Sequence, residues 1–168
     1  MNLNFERVLV HEDNKILEVY NIIKRSGEYM FRKQGLTHWK NPYPIEAIKK
    51  NCEEREVFLI KDLDKHVYVH TFQLEYSSHS SNPQIDEEKI KITINKFATI
   101  PEAEGKGIGK KSINYIEEYC RNKGISKISL DVYEKSDHAV QFYKKRGFVF
   151  TGSRSTRYFK VYLMEKCL

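Results

Sequence analysis

A β-rich run from Ile90 to Ile100 passes through Pro101-Glu102-Ala103-Glu104 into Gly105-Lys106-Gly107-Ile108-Gly109, and a helical pattern follows to Asn122. This order of strand, glycine turn and helix constrains the fold more than any other feature of the chain. The first turn of a helix carries backbone N–H groups without internal partners, and the helix dipole adds positive potential there. A strand that delivers glycines to that point can build an anion site. Gly105, Gly107 and Gly109 open backbone conformations closed to other residues and allow close approach to a ligand. Lys106, Lys110 and Lys111 add charge nearby. Two better-known glycine motifs are excluded by single residues. The P-loop needs a glycine where Glu104 stands and a Ser or Thr where Lys111 stands. The dinucleotide fingerprint needs a glycine where Lys110 stands. A phosphate-binding turn and a merely flexible turn both remain open on this pattern alone.

The preceding strand carries a second clue. Ile90, Ile92 and Ile94 share one parity, but the next large apolar residue is Phe97. A β-bulge between Ile94 and Phe97 would restore the alternation and splay the strand; a strand end with relaxed patterning would look the same.

The rest of the chain reads as short elements. Ile16, Val19, Tyr20 and Ile23 predict a helix from Asp13 to about Ser26. Gly35 to Pro44 is a loop, and Pro44 opens a short helix over Ile45 to Cys52. Val57 to Lys61 and His66 to Glu75 read as strands joined at Asp62-Leu63-Asp64-Lys65, and Tyr76 to Glu88 as a polar loop. In the helix before Asn122, Ile113, Ile116 and Cys120 share a face, and Gly124 suits a left-handed cap. Ile125 to Tyr133 is a strand and Asp137 to Arg146 a short helix ended by Gly147. The tail from Phe148 to Lys166 reads as two strands broken near Gly152 to Ser155. The order αα-ββ-β-α-β-α-ββ predicts an α/β or α+β domain around a mixed sheet.

At 168 residues the chain fits one domain spanning 1–168, large enough for a real core. Its net charge of +6 favours anionic partners in general, but the lysines are spread rather than blocked into an arm, which argues against nucleic acid. No apolar run is long enough to cross a bilayer, and Met1 to Glu6 does not read as a signal peptide, so the expected location is cytoplasmic with no membrane partner. Cys52, Cys120 and Cys167 are odd in number and widely spaced, so neither a metal site nor a disulfide framework is expected.

Two segments together resemble the GNAT superfamily of N-acetyltransferases. One is Phe97-Ala98-Thr99-Ile100-Pro101 running to Gly105-Lys106-Gly107-Ile108-Gly109; the other is Leu130 to Phe148, with Ala139, Phe142-Tyr143 and Gly147-Phe148. The resemblance implies a GNAT-like, mostly antiparallel mixed sheet flanked by helices and splayed at the fourth strand. It implies acetyl-CoA as co-substrate, with the backbone of Phe97, Ala98 and Thr99 along the pantetheine arm. Amides of Gly105, Lys106, Gly107, Ile108, Gly109 and Lys110 would hold the pyrophosphate, Ser136 would lie near the arm, and Tyr143 would act as donor to the leaving thiolate. His38, Trp39 and Tyr43 would fall where this fold forms an acceptor wall. Two departures stand out: Glu104 replaces the family's Arg or Gln, and Ser136 its Asn. A carboxylate beside a pyrophosphate is unfavourable unless it points away or pairs with Lys106 or Lys111.

The implied reaction moves acetyl from acetyl-CoA to a primary amine, expected on a small molecule, by direct attack in a ternary complex. Read without the family, Tyr143 would be a core residue on the Ala139/Val140 stripe. Glu28, His70 and Glu75 are chemically able to act as base, but no motif places them, and no base is named. A macromolecular acceptor (a protein amine or aminoacyl-tRNA) and a non-catalytic acyl-CoA-binding module are the alternatives. The oligomeric state, homodimer included, is open.

Overall fold

The computed structural model describes residues 1–37, 43–77 and 91–168. Seven strands take the order β1-β2-β3-β4-β5-β7-β6, with helices α1–α4 between them. The sheet is mostly antiparallel, and its one parallel pair among the described residues is β4 with β5, as the resemblance implied. The chain divides into two compact units, Met1–Leu74 with Asn95–Lys110, and Glu75–Ile94 with Lys111–Leu168.

The first unit opens with β1 (Leu3–Val8), which pairs antiparallel with β2 (Glu56–Asp62) from Leu3↔Asp62 to Val8↔Val57. The expected element order has no strand here. Leu3-Asn4-Phe5-Glu6 alternates, but Arg7 and Val8 break the phase, and so short a run is not read as a strand without its partner. Helix α1 runs from Asp13 to Gln34, a full two turns beyond the expected end at Ser26. Ser26 and Gly27, at the expected end, are both buried within the helix. The helix ends instead at Gly35, with φ 63 and its N–H bonded to Phe31 O, while Leu36 N–H reaches Met30 O. Ile16, Val19, Ile22 and Ile23 form its buried stripe. Helix α2 (Ile45–Glu54) follows with Pro44 as its cap residue. β2 and β3 (Val67–Ser77) join through a turn in which Asp64 N–H donates to Asp62 Oδ1. Val57, Leu59, Ile60 and Phe72 are fully buried and make this unit's core with the α1 stripe.

Strand β4 (Lys91–Thr99) leads into a 3₁₀ turn at Pro101–Ala103. Lys96 has φ 48, a left-handed residue in mid-strand, lying where the apolar alternation slips between Ile94 and Phe97. Ile90 lies outside the described residues.

In the second unit, the start of β4 pairs parallel with β5 (Lys127–Tyr133), from Lys91↔Lys127 to Ile94↔Leu130. Helix α3 (Ile108–Asn122) makes the crossover that a parallel pair requires. Its face of Ile113, Ile116 and Cys120 is fully buried, and Gly124 takes φ 70 as its left-handed cap. Helix α4 (Asp137–Lys144) precedes β6 (Val149–Ser155) and β7 (Lys160–Cys167). The break in the tail falls at Thr156 to Phe159, not at Gly152 to Ser155, because the Thr156 hydroxyl ties the turn to Phe159. Near Gly152 the strand only shifts register against β7. Every residue of β6 is exposed.

Candidate functional site

In the first unit, the glycine turn takes the conformation its composition invites. Gly105 has φ 71 and Gly107 φ 78, and α3 begins at Ile108. A Cβ built on either glycine would meet no atom within 4 Å, so backbone conformation and not crowding requires glycine here. Gly109 lies inside α3, as does Lys110. No acidic residue stands in the first turn of α3, which leaves the positive end of the helix uncompensated by its own side chains.

Glu104 is partly exposed. Lys106 does not pair with it; the Lys106 ammonium donates to the Glu102 carbonyl. The Glu102 carboxylate in turn bonds Arg25 of α1 at 2.7 Å, which pins the 3₁₀ turn to that helix.

At the end of β4, the Ile100 N–H donates to Val69 O on β3 at 3.0 Å. Strand alternation then turns the amide of Thr99, the residue before, away from β3. The Thr99 hydroxyl shares a 2.8 Å hydrogen bond with His70 Nδ1. His70 is fully buried, and burial alone pulls its pKa down to about 3. Such an imidazole is neutral at pH 7 and a weak base, so it suits holding Thr99 better than removing a proton. The Phe97 ring sits edge-on to His70 at 4.4 Å. Of the other groups considered as bases, Glu28 is exposed on α1 and Glu75 belongs to the second unit.

Tyr43 is about half exposed, and the Lys96 ammonium stands 3.1 Å from its ring centroid. His38 and Trp39 lie outside the described residues. Lys96 carries the left-handed φ of β4, and Arg55 donates to Gln73 Oε1 across elements at 3.2 Å; none of the three was singled out from sequence. Their signals are a left-handed φ and a hydrogen bond across elements, which no spacing rule exposes.

In the second unit, Ser136 is buried as the residue before α4, and its side chain makes no capping bond. Tyr143 lies on the buried side of α4, edge-on to Phe148 at 5.6 Å and to Phe142 at 5.1 Å. Burial drives its phenol pKa well above the ordinary value, so the hydroxyl keeps its proton. Arg154 and Asp131 form an ion pair between β6 and β5. Among the described residues there is no cluster of His, Cys, Asp or Glu disposed to hold a metal, and no helix is long and apolar enough to cross a membrane.

The chain is similar to several known acetyltransferases. Streptothricin acetyltransferase of Streptomyces lavendulae is 29% identical over 68 residues, which is 40% of this chain and 36% of that protein. The chain thus matches little more than a third of that curated relative. The structure of the PaiA N-acetyltransferase from Thermoplasma acidophilum, in complex with coenzyme A, superposes with a TM-score of 0.75 over the whole of both chains at 16% identity. The ribosomal-protein-S18-alanine N-acetyltransferase of Escherichia coli gives 0.74 over 99% of this chain and 94% of its own at 14% identity. At such identities the structural likeness establishes the fold alone. Residues 34–148, well over half the sequence, match the acetyltransferase (GNAT) family, and the chain belongs to that family.

Proposed function

We propose that residues 1–168 work as one acetyl-CoA-dependent N-acetyltransferase domain acting on the primary amine of a small molecule. The observation that carries this reading is the pair of left-handed glycines, Gly105 and Gly107, delivered by β4 to the start of α3. That arrangement fits a pyrophosphate: open space at both missing Cβ positions, helix amides beyond them, and Lys106 and Lys110 beside them. Phe97, Ala98 and Thr99 are assigned to an extended pantetheine arm, supported by the Thr99 amide, which strand alternation turns away from β3. Ser136 would lie near that arm. The similarity to streptothricin acetyltransferase supports a small-molecule acceptor.

Acetyl-CoA would supply a thioester whose carbonyl carbon takes the amine and whose thiolate leaves. The protein's part is to align the amine, to stabilise the oxyanion and to meet the leaving sulfur. A backbone amide near Thr99 is the candidate oxyanion donor, and the His70–Thr99 bond would hold that stretch still. Tyr143 is assigned the sulfur. An unperturbed phenol has a pKa of about 10 and a thiol about 8.5, so proton transfer to the thiolate already runs uphill by roughly 2 kcal/mol. Burial raises the Tyr143 pKa and makes that gap larger. Tyr143 therefore serves as a hydrogen-bond donor and not as a full acid.

Calorimetric titration with acetyl-CoA, followed by a coenzyme A release assay over an amine panel, tests the reading. Saturable binding with turnover on at least one small amine is expected. No binding at millimolar acetyl-CoA would overturn it, and binding without turnover on any amine would leave a non-catalytic acyl-CoA-binding module.

A further inference from the structure

The contact between His70 and Thr99 has one consistent arrangement of protons. His70 sits on β3 and Thr99 at the end of β4, with 2.8 Å between Nδ1 and the threonine oxygen. The imidazole is fully buried, and burial pulls its pKa down to about 3, so at working pH it is neutral and carries a single N–H. Either Nδ1 or Nε2 holds that proton. Nε2 is buried and has no hydrogen-bond partner among the described residues. The Phe97 ring beside the imidazole offers an N–H only a weak aromatic contact. A proton on Nε2 would strand a buried donor, and stranded donors are rarer than under-used acceptors. The proton therefore belongs on Nδ1, and His70 donates to the Thr99 oxygen.

A hydroxyl oxygen that accepts from Nδ1–H keeps its own hydrogen for another acceptor. Among the described residues the Thr99 hydroxyl has no second partner. The imidazole occupies the β3 side of the oxygen, so the hydrogen is left on the side away from β3, where the Thr99 amide also turns. Amide nitrogen and hydroxyl oxygen of one threonine are close enough to reach a single acceptor together. Thr99 is partly accessible between buried Ala98 and Ile100, and the bond it accepts from His70 strengthens the one it can give.

We propose that the Thr99 hydroxyl is a catalytic hydrogen-bond donor to the thioester oxygen, and that His70 is the positioning residue that aims it. This rests on the acetyltransferase reading and on acetyl-CoA lying along Phe97 to Thr99. As the amine nitrogen bonds to the carbonyl carbon, the C=O π pair moves onto oxygen, and the Thr99 amide and hydroxyl share that charge. When the pair returns, the C–S bond breaks and the thiolate leaves. The nitrogen releases a proton to water, the departing thiolate takes one up, and the hydroxyl keeps its own throughout. Burial has a use here: an imidazole that stays neutral holds the hydroxyl in one orientation across ordinary working pH.

Nitrogen NMR of the imidazole reads the tautomer without any substrate: Nδ1–H is expected, and Nε2–H overturns the proposal. Kinetics at saturating acetyl-CoA, with the best amine of the panel as acceptor, read the rest. Thr99→Val keeps the shape and loses the donor, so kcat should fall about a hundredfold, the scale of one oxyanion donor, while acetyl-CoA affinity by calorimetry is retained. Thr99→Ser should keep most of the parent's kcat. His70→Asn, whose amide can place an N–H where Nδ1 stands, should also keep most of it, and His70→Leu should lose it; this pair keeps the test decisive if Thr99→Val fails to fold. The proposal is overturned by a fall of less than about tenfold in Thr99→Val, by equal losses in His70→Asn and His70→Leu, or by loss of acetyl-CoA affinity in place of kcat. A parent that acetylates no amine refutes the transferase reading as well, whereas an active parent matched by Thr99→Val refutes the hydroxyl's role alone.

Discussion

Gly107→Ala isolates what the glycine turn contributes. The residue has φ 78, and an added Cβ would meet nothing within 4 Å, so the substitution perturbs backbone conformation and nothing else. Holding an L-residue in the left-handed region costs about 1–2 kcal/mol. The smaller conformational freedom of unfolded Ala returns about 0.4–1 kcal/mol. At the midpoints of these ranges the net loss is about 0.8 kcal/mol, or roughly 2–3 °C in Tm at about 2–4 °C per kcal/mol for a chain of this size. Differential scanning calorimetry of the ligand-free protein reads this directly. Acetyl-CoA affinity, by titration calorimetry, should fall further than stability does, because a turn that relaxes out of φ 78 turns its amides away from the pyrophosphate. Gly107→Asn should recover most of both, since Asn tolerates the left-handed region through local hydrogen bonding. Gly109→Ala sets the contrast: Gly109 is helical, so no conformational penalty arises, and any affinity lost there reports close approach of the ligand. The reasoning fails if Gly107→Ala melts and binds like the parent, or if the Asn variant is no better than the Ala variant.

Two further substitutions probe the buried groups. Tyr143→Phe should lower kcat about tenfold or more with acetyl-CoA affinity retained, and since the parent's phenol pKa is raised, no alkaline limb of the parent's rate profile should belong to it; unchanged turnover would remove Tyr143 from the chemistry. His70→Gln should reshape acid stability. The folded imidazole pKa is depressed to about 3, so between that value and about 6.5 the unfolded chain binds the extra proton and stability is lost as pH falls. From pH 7 to pH 5 the parent should lose about 2 kcal/mol through this group, a loss absent from the variant in urea titrations at the two pH values.

Much of the architecture was legible because it rests on local chemistry. Gly124 after the Ile113/Ile116/Cys120 face, and the strand–turn–helix order around Gly105 and Gly107, are fixed by residue type and period. Strand β1 was not legible, because its partner β2 lies about fifty residues away and its alternation lasts only from Leu3 to Glu6. The far end of α1 was not legible because the apolar stripe that marks the helix ends at Ile23, while the helix itself runs on to Gln34. At the site, the slipped alternation pointed to the right stretch of β4, and Lys96 proved to be the left-handed residue within it. The His70–Thr99 bond and the Arg55–Gln73 bond join residues from different elements, and pairing of that kind leaves no trace in spacing.

Strand β6 carries a consequence for how the protein behaves at concentration. It stands at the end of the strand order and is hydrogen-bonded to β7, with Val149 and Phe150 exposed along it. An outer strand of this kind is a template on which another chain can add a strand. The register shift at Phe150/Gly152 interrupts that template after its first residues, and Arg154 is engaged with Asp131 on β5. Docking by strand addition is thereby confined to the stretch beginning at Val149. In dilute protein the amide protons of β6 that do not face β7 should exchange freely with water, and slowing of that exchange as the protein is concentrated would mark the point at which two copies begin to share an edge.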